Sequence, residues 1–336
     1  MSCLKVSLFP GQRLGLWSYM RIAVLHGPHD FRIEERPQPE MQDDECLIRV
    51  RACGVCHSEI HQWDVKEEGL DYPRFIGHEV AGEVIAAGPK VAGFKRGDRV
   101  AVWTDRQGYA EAVAAKADRL FPIASHIPFE YALAEPIACA TNGVLRANIQ
   151  LGDTVALVGT GFMGLLLLQQ VALQGASAII AIDPRREMLE LAQRFGANVA
   201  INPQKENAVQ RVKELTGGVG VDAAFEAGGV QATLDLAAGL ARMEGKLVIF
   251  GYHPGPRQIG NLGYWNWMAF DIINAHFRDL GVILRGARIG TGLLNAGKIK
   301  MAPLITHKFP LEKIEEAFTA AKEKPPGFVK SVIVMD

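Results

Sequence analysis

The sequence predicts an α/β protein in which a doubly wound parallel sheet is inserted into a mostly β domain. Two observations predict this fold class. Short β-branched runs separated by Gly, Pro and Asp turns fill residues 20–142, which is typical of a β domain. Apolar strands alternate with helical segments from Thr154 onward, which is typical of a parallel sheet covered by helices.

The predicted elements follow this division. In the β domain, at 20–142, the strands are "RIAVL", "ECLIRVRACG", "GHEVAGEVIAAG", "DRVAVW" and "YAEAVAA". In the parallel-sheet domain, at 143–288, the strands are "TVALVG", "SAIIAID", "VDAAFEA" and "KLVIFG", and the helices include "RREMLELAQRFG" and "VQATLDLAAGLARM". The segment 289–336 supplies a strand, the helix "LEKIEEAFTAAKE" and a last strand, and we expect it to return to the β domain.

Residues 1–19 are predicted to be an extension outside the fold, because "MRIAVLH" from Met20 begins like a new strand behind a new methionine. The extension carries Lys5 and Arg13 and no acidic residue, which loosely resembles a transit peptide. It has no apolar core long enough for a secretory signal. An upstream start codon is the simpler explanation.

Composition excludes several classes of partner. The formal charges nearly cancel, with 36 basic and 37 acidic residues, so neither nucleic acid nor a membrane surface is indicated and a small neutral ligand fits better. Five cysteines are too few for a disulfide scaffold, which predicts a reducing compartment, the cytoplasm. The most apolar stretch is interrupted by Gln169, Gln170 and Gln174 and predicts a buried helix and strand rather than a membrane span.

A dinucleotide-binding turn is predicted where "VALVGTGFMGLLLL" places Gly159, Gly161 and Gly164 as G-x-G-x-x-G between a strand and a helix. These glycines allow the tight turn, the approach of a pyrophosphate and close helix packing, as in a Rossmann fold. The helix N-terminus then faces the anion. Phe162 and Met163, inside the turn, complete the predicted cofactor-binding set.

The next strand ends at Asp183, nineteen residues beyond Gly164, where a carboxylate can accept hydrogen bonds from the adenosine ribose. Asp183 would repel a 2′-phosphate, so NAD is favoured as the cofactor. Arg185 and Arg186 follow closely and could bind that phosphate, so NADP stays possible.

Three residues far apart in the sequence could together bind a catalytic zinc ion. Such a site needs about three N, S or O ligands and an open position, and Cys56, His78 and Glu135 offer that set. Each has another explanation when taken alone. Cys53 and Cys56 could be a redox pair, His78 a turn residue, and Glu135 a carboxylate at a helix N-terminus.

A family resemblance decides among these explanations. The segment "GHEVAGEVIAAGPKVAGFKRGDRV", residues 77–100, resembles the signature of the zinc-containing alcohol dehydrogenases of the medium-chain dehydrogenase/reductase superfamily. "CGVCHSE", "GTGFMG" and "PLITHKFPLEKIEEAF" extend the resemblance from about Met20 to the end. It implies a Rossmann domain inserted into a GroES-like catalytic domain. It also implies that Cys56 and His78 bind the catalytic zinc, and that Glu79 lies beside the metal and can approach it.

The resemblance implies a third zinc ligand at Glu135. The pair Glu135–Pro136 resembles the sorbitol-dehydrogenase branch, in which this glutamate binds zinc directly or through water. Cys139 is the rival ligand, but the resemblance implies that it forms a wall beside the nicotinamide. The segment "GDRVAVWTDRQGYAEAV" departs from the family because it lacks the four cysteines of the structural zinc lobe. We therefore predict one zinc ion per subunit and a small buried side chain at Cys53.

The resemblance also implies a path for the released proton. Ser58 matches the hydroxyl that touches the substrate oxygen, and His61 matches the histidine that passes the proton to solvent, although an ordinary surface histidine is its other explanation. Glu79 completes the predicted catalytic set. Glu59 is expected to orient a ligand imidazole.

An aromatic segment, residues 252–280, could roof the substrate cleft or bury a subunit interface, since both uses favour Trp and Tyr. Three polar residues in it could hydrogen-bond a polyol or be solvated on a helix surface. The aromatic residues are Tyr252, Tyr264, Trp265, Trp267 and Phe270, and the polar ones are Asn266, Asp271 and His276.

The predicted function is a zinc-dependent, NAD(P)-linked dehydrogenase that oxidises a secondary alcohol to a ketone. We expect the substrate to be a small molecule: a polyol, cyclitol, sugar acid or hydroxy amino acid. A threonine-type amino-alcohol dehydrogenase and a non-catalytic dinucleotide sensor are the alternatives. The resemblance implies a homodimer or homotetramer.

Overall fold

The computed structural model describes residues 19–65, 70–105 and 107–336. Residues 1–18 of the predicted extension lie outside the described residues, and the first strand begins at Tyr19. None of the helices in the described ranges is long and apolar enough to cross a membrane.

Strands within the described ranges are numbered in chain order. They are β1 (Tyr19–Leu25), β2 (Phe31–Pro37), β3 (Glu45–Gly54), β4 (Glu79–Ala87), β5 (Arg99–Trp103), β6 (Ala112–Lys116), β7 (Leu120–Pro122), β8 (Thr154–Val158), β9 (Ala178–Ile182), β10 (Val199–Ile201), β11 (Val221–Glu226), β12 (Ala241–Ile249), β13 (Asp271–Asn274), β14 (His307–Pro310) and β15 (Ser331–Val334).

The α-helices are numbered in the same way. They are α1 (His57–Asp64), α2 (Ala134–Ala147), α3 (Phe162–Leu173), α4 (Arg186–Arg194), α5 (Ala208–Leu215), α6 (Gln231–Leu240), α7 (Leu262–Met268), α8 (Leu280–Asn295) and α9 (Ile314–Glu323). Short 3₁₀ helices occupy Ala117–Arg119, Phe129–Tyr131, Ala302–Leu304 and Leu311–Lys313.

The first large sheet has seven strands in the order β14-β15-β3-β4-β5-β7, with β6 paired to β3. The C-terminal strand β15 runs antiparallel to β3, with Ile333 opposite Cys53, so the end of the chain returns to the sheet formed by its beginning. Helix α1 packs on α9 through Trp63, whose ring centre lies 5.6 Å from that of Phe318. The Trp63 indole N–H also donates to Glu315. These contacts hold the segment after Cys56 against the sheet.

The second large sheet has six strands in the order β10-β9-β8-β11-β12-β13, and every neighbouring pair is parallel. Chain order reverses between β8 and β11, so the crevice beyond the carboxyl ends of these strands is the topological switch point at which such sheets bind ligands. All six strands fall between β7 and β14 in the sequence, and the predicted fold class is confirmed.

Some local structure differs from the sequence prediction. No helix is predicted after Cys56, and this segment forms α1. The helix predicted at "VQATLDLAAGLARM" ends at Leu240, because Ala241 already pairs with Val221 as the first residue of β12.

Candidate active site

A thiol, an imidazole and a carboxylate meet where two inner strands of the seven-stranded sheet, β3 and β4, have their adjacent ends. Potential ligand atoms of Cys56, His78 and Glu79 all lie within 4.8 Å of one another, and this is the one such group of three found among the described residues. Strands β3 and β4 bring them together, because Gly54 at the end of β3 lies opposite Glu79 at the start of β4. Cys56 follows β3 by two residues and precedes α1.

Glu59 orients the imidazole of this group. It is buried on α1, and its Oε1 accepts hydrogen bonds from the backbone N–H of Gly77 at 2.6 Å and from His78 Nδ1 at 2.8 Å. The Tyr109 hydroxyl donates to Glu59 Oε2 at 2.6 Å. Because Nδ1 is engaged, Nε2 is the nitrogen of His78 left for a metal ion. Burial opposes a charge on His78, but Glu59 and Cys56 outweigh it and raise its pKa well above the usual value.

The carboxylate of Glu79 has one engaged oxygen and one free one. Lys330, which is buried just before β15, donates from Nζ to Oε1 at 2.7 Å. Oε2 is buried and has no hydrogen-bond partner among the described residues, and it lies where a Cβ on Gly54 would be. A free carboxylate oxygen beside a thiol and an imidazole fits zinc, which takes S, N and O ligands.

Glu135 lies in the first turn of α2, next to this group but outside it. Burial raises its pKa, His78 opposes the rise and Glu79 adds to it, so the three side chains share one electrostatic environment. Cys139 donates from Sγ to Glu135 at 3.2 Å. The sequence ranked Glu135 above Glu79 as a zinc ligand, whereas the structure groups Glu79 with Cys56 and His78.

The two predicted proton-relay residues both lie on α1. Ser58 Oγ lies 3.2 Å from Cys56 Sγ, so its hydroxyl is beside the metal-binding group. His61 lies one turn further along the helix and is partly exposed.

The glycine turn between β8 and α3 has the backbone that a dinucleotide site needs. Gly159 has φ +92°, a conformation that side chains other than glycine rarely adopt. A Cβ on Gly164 would overlap the carbonyl oxygen of Gly159, so close packing also requires glycine there. Gly161 is open except for the guanidinium of Arg185, 3.5 Å from where a Cβ would be. The turn fits a bound pyrophosphate, with Phe162 and Met163 starting α3.

Asp183, just beyond β9, has both oxygens engaged. Oδ1 accepts from the backbone N–H of Arg185 and from its Nε at 3.1 Å. Oδ2 accepts from the backbone N–H of Thr160 and from the terminal nitrogen of Arg185 at 3.2 Å. The pKa of Lys324, at the end of α9, is lowered by burial and by the charge of nearby Arg185, and Asp183 only partly opposes this. Arg186 instead points to Glu190 along α4.

One contact joins the metal-binding group to the glycine turn. The ammonium of Lys330, which binds Glu79, lies 4.6 Å from the centre of the Phe162 ring. Sequence reasoning missed Lys330 and Tyr109. A lysine inside the apolar tail "FVKSVIVM" was a signal for the first, because a buried lysine needs a charged partner.

The aromatic segment divides into buried and exposed side chains. Trp265 is buried, and both Tyr264 and Trp265 pack edge-on against Phe270 behind the parallel sheet. Trp267 is 77% exposed and Tyr252 is 44% exposed. Of the polar residues, Asn266 and Asp271 are exposed, and His276 Nε2 lies 3.1 Å from the carbonyl oxygen of Gly251.

Two protein-family models match this chain, one over the metal-binding group and one from the glycine turn onward. Residues 42–127 match "Alcohol dehydrogenase GroES-like domain", and residues 163–282 match "Zinc-binding dehydrogenase". The first range contains Cys56, His78 and Glu79, and the second begins inside the glycine turn.

Individual proteins match over nearly the whole chain. Sorbitol dehydrogenase of Bacillus subtilis is 30% identical over 335 residues, covering 90% of this chain and 93% of that protein. L-Threonine 3-dehydrogenase of Pyrococcus horikoshii is 30% identical over 326 residues, covering 87% and 92%. The crystal structure of 2R,3R-butanediol dehydrogenase from Bacillus subtilis superposes with a TM-score of 0.82 at 26% identity, covering 94% of this chain and 100% of that one.

Proposed function

The chain belongs to the zinc-containing alcohol dehydrogenase family of the medium-chain dehydrogenase/reductase superfamily, in its sorbitol dehydrogenase-like branch, and we propose that it oxidises a polyol or related secondary alcohol to the ketone. It is an NAD(P)-linked, zinc-dependent enzyme. The observation that carries the proposed substrate chemistry is the Cys56–His78–Glu79 group, joined through Lys330 to the Phe162 end of the glycine turn.

We propose Cys56, His78 and Glu79 as the residues that hold one zinc ion per subunit, with Glu135 as a further ligand within reach. When bound, zinc supplies Lewis-acid chemistry, lowering the pKa of the substrate hydroxyl. Glu59 holds the His78 ring so that Nε2 faces the metal position. Lys330 balances the charge of Glu79 and leaves Oε2 for the metal.

The chain's own residues then handle the proton and the cofactor. Ser58, beside Cys56, accepts the hydroxyl proton as it releases its own, and His61, which is partly exposed on α1, passes a proton toward solvent. Gly159, Gly161 and Gly164 hold the cofactor pyrophosphate, and Asp183 faces its adenosine ribose. Bound nicotinamide supplies the hydride acceptor.

A threonine-type activity remains the second candidate, because L-threonine 3-dehydrogenase of Pyrococcus horikoshii is as similar in identity as the sorbitol enzyme. The two substrates differ in the amine and carboxylate of the amino acid. A panel of polyols, cyclitols, sugar acids and amino alcohols, assayed by nicotinamide absorbance with NAD⁺ and with NADP⁺, separates them. The polyol proposal expects the highest kcat/KM among uncharged polyols.

The zinc assignment has its own test. Purified protein should contain about one zinc ion per subunit, and chelation should abolish turnover until zinc is restored. A Cys56→Ser variant should lose zinc while it still binds NADH. Full turnover by protein without zinc, or full biological effect of a catalytically dead Cys56→Ser variant, would overturn the enzymatic proposal and favour a non-catalytic sensor.

We propose a homodimer or homotetramer in the cytoplasm, with domains at 20–142, 143–288 and 289–336. Support for the oligomer comes from β13, whose side chains at Asp271, Ile272 and Asn274 are exposed at the end of the six-stranded sheet, with exposed Trp267 nearby in the sequence. Sedimentation of the wild type and an Ile272→Lys variant tests it, since the lysine should favour the monomer. A wild type that sediments as a monomer at micromolar concentration would contradict it.

A further inference from the structure

A second buried carboxylate, outside the metal-binding group, holds the carboxyl edge of the parallel sheet together. Glu226 is the last residue of β11 and is fully buried. Its Oε1 accepts from the backbone N–H of Gly228 at 2.8 Å, from that of Gly229 at 2.7 Å, and from Thr233 Oγ1 at 2.6 Å. His253 Nε2 lies 2.7 Å from Oε2. Four donors match the capacity of one carboxylate.

His253 is held at both ring nitrogens. Arg257 donates from Nε to His253 Nδ1 at 3.1 Å, and a guanidinium has no acceptor, so Nδ1 accepts. Nε2 is then the ring nitrogen that donates, and its partner is Glu226 Oε2. Arg257 also donates to the carbonyl oxygen of Gly229 at 3.0 Å. The loop after β12 is thus tied to the turn after β11.

The turn after β11 packs directly against the glycine turn, backbone to backbone. The backbone nitrogen of Gly228 lies 2.9 Å from where a Cβ on Gly159 would be. A Cβ on Gly229 would overlap the carbonyl oxygen of Tyr252, and one on Gly251 would come within 2.6 Å of the Gly229 nitrogen. Because these backbones touch, the Gly228–Gly229 turn sets the position of the Gly251–Tyr252 backbone.

The strand order of the parallel sheet indicates which part of the cofactor lies next to the Gly228–Gly229 and Gly251–Tyr252 segments. A dinucleotide lies across the switch point between β8 and β11, with its adenosine on the β9 side, where Asp183 lies. Its nicotinamide half therefore lies over the carboxyl ends of β11 and β12. Those ends carry Glu226 and the loop that follows Ile249 and contains Gly251.

We propose that His253, clamped between Glu226 and Arg257, is a positioning residue for the nicotinamide half of the cofactor. The inference rests on the NAD(P)-linked function above. Without the clamp, the Gly251–Tyr252 backbone is no longer fixed against the Gly228–Gly229 turn, so the nicotinamide half meets a poorly ordered surface. The adenosine and the pyrophosphate bind at Asp183 and at the glycine turn, which β8 and α3 hold in place without the clamp, so ADP affinity should be unaffected.

The test compares NADH with ADP, which carries the adenosine and both phosphates but lacks the nicotinamide half. His253→Leu should weaken NADH binding about tenfold, roughly the loss of one charge-assisted hydrogen bond, and change ADP affinity less than twofold, as measured by fluorescence titration and competition. His253→Gln, which keeps an N–H donor toward Glu226, should recover most of the NADH affinity. Equal weakening of both ligands, or no weakening of NADH, overturns the proposal.

Two further measurements keep the result interpretable. His126→Leu changes an exposed histidine away from the cofactor edge and should leave both affinities unchanged. If His253→Leu does not fold, Arg257→Leu decides: it frees Nδ1 and should give the same selective loss of NADH affinity, and its failure to do so overturns the proposal. A wild type that binds neither ligand would instead overturn the cofactor assignment itself.

Discussion

Gly54 lies where the chain leaves β3, opposite Glu79 on β4. A Cβ there would overlap Glu79 Oε2 and come within 2.8 Å of Leu133 Cδ1. Lys330 holds the other carboxylate oxygen, so the side chain cannot move away freely. Gly54→Ala should therefore displace Glu79 and lower zinc affinity by about tenfold or more, as loss of a metal-orienting contact does. Competition with a chromophoric chelator measures the zinc affinity.

The matched control is Gly27→Ala, because no atom lies within 4 Å of a Cβ at that position. It should leave zinc affinity and kcat/KM unchanged. Unchanged zinc affinity in Gly54→Ala would mean that Glu79 does not bind the metal, and Glu135 would become the third ligand.

Arg185 pairs with Asp183 at the proposed adenosine-ribose site. Its guanidinium takes both oxygens of Asp183 and lies over Gly161, so it screens the charge that would repel a 2′-phosphate. Arg185→Ala should shift the ratio of kcat/KM for NAD⁺ over NADP⁺ toward NAD⁺ by about tenfold, the size of one charge-assisted contact. Arg186→Ala is the neighbouring control, since Arg186 pairs with Glu190, and it should not change the ratio. Similar shifts in both variants would contradict a specific role for Arg185.

At the scale of elements, helix α1 carries the site because its buried face is anchored at Glu59. Tyr109 donates one hydrogen bond to Glu59, which in turn accepts from His78. Tyr109→Phe removes that donor and keeps the ring, so His78 should be held less firmly and zinc affinity should fall about tenfold. Zinc content after dialysis against a graded chelator series measures the change.

Tyr72→Phe is the control for this prediction. The Tyr72 hydroxyl also bonds to α1, at the carbonyl oxygen of Gln62, but it does not touch Glu59. Zinc affinity should therefore stay at the wild-type value. If both tyrosine variants lose zinc equally, the loss reflects general loosening of α1 and not the orientation of His78.

Elements with strong local patterns were predictable from the sequence. The strand–turn–helix at Gly159 needs φ +92° and close packing, which only glycine satisfies, so the motif itself specifies the structure. Strand β2 was missed, because "FRIEERP" is charged and mostly exposed in a two-stranded sheet. Helix α1 was missed because it has only eight residues, of which only Ile60 and Trp63 are apolar, so its helical pattern is weak and it depends on packing against α9.

The site was predictable only as far as the family resemblance reached. Cys56 and His78 belong to motifs that can be recognised locally. The Lys330–Glu79 pair spans 251 residues, and no spacing rule connects positions that far apart. Pairing of β15 with β3 creates it, so it follows from the tertiary fold. His253 was hidden for the same reason, since it lies in the loop after β12 and its partner Glu226 lies at the end of β11.

At the scale of the whole molecule, Lys330 connects the seven-stranded sheet to helix α3 at the site. Glu79 belongs to the seven-stranded sheet, whereas Phe162 starts α3 of the inserted domain. Burial opposes the charge of Lys330, but Glu79 and Cys56 outweigh it and raise its pKa. The pair is thus buried, and it lies between the metal-binding group and the glycine turn.

Lys330→Met should lower the stability of the fold, because it leaves the carboxylate of Glu79 buried without a counter-ion. Breaking a buried pair on one side costs about 3–5 kcal/mol, so the free energy of unfolding should fall by about that amount, as measured by denaturant titration of zinc-free protein. The double variant Lys330→Met/Glu79→Gln should recover part of the loss, because a neutral amide needs no counter-ion. Lys308→Met breaks a 2.8 Å pair with Glu130 that is partly exposed, and its cost should stay below about 1 kcal/mol. Equal costs for the two lysine variants would show that the Lys330 pair is solvated and does not couple the domains.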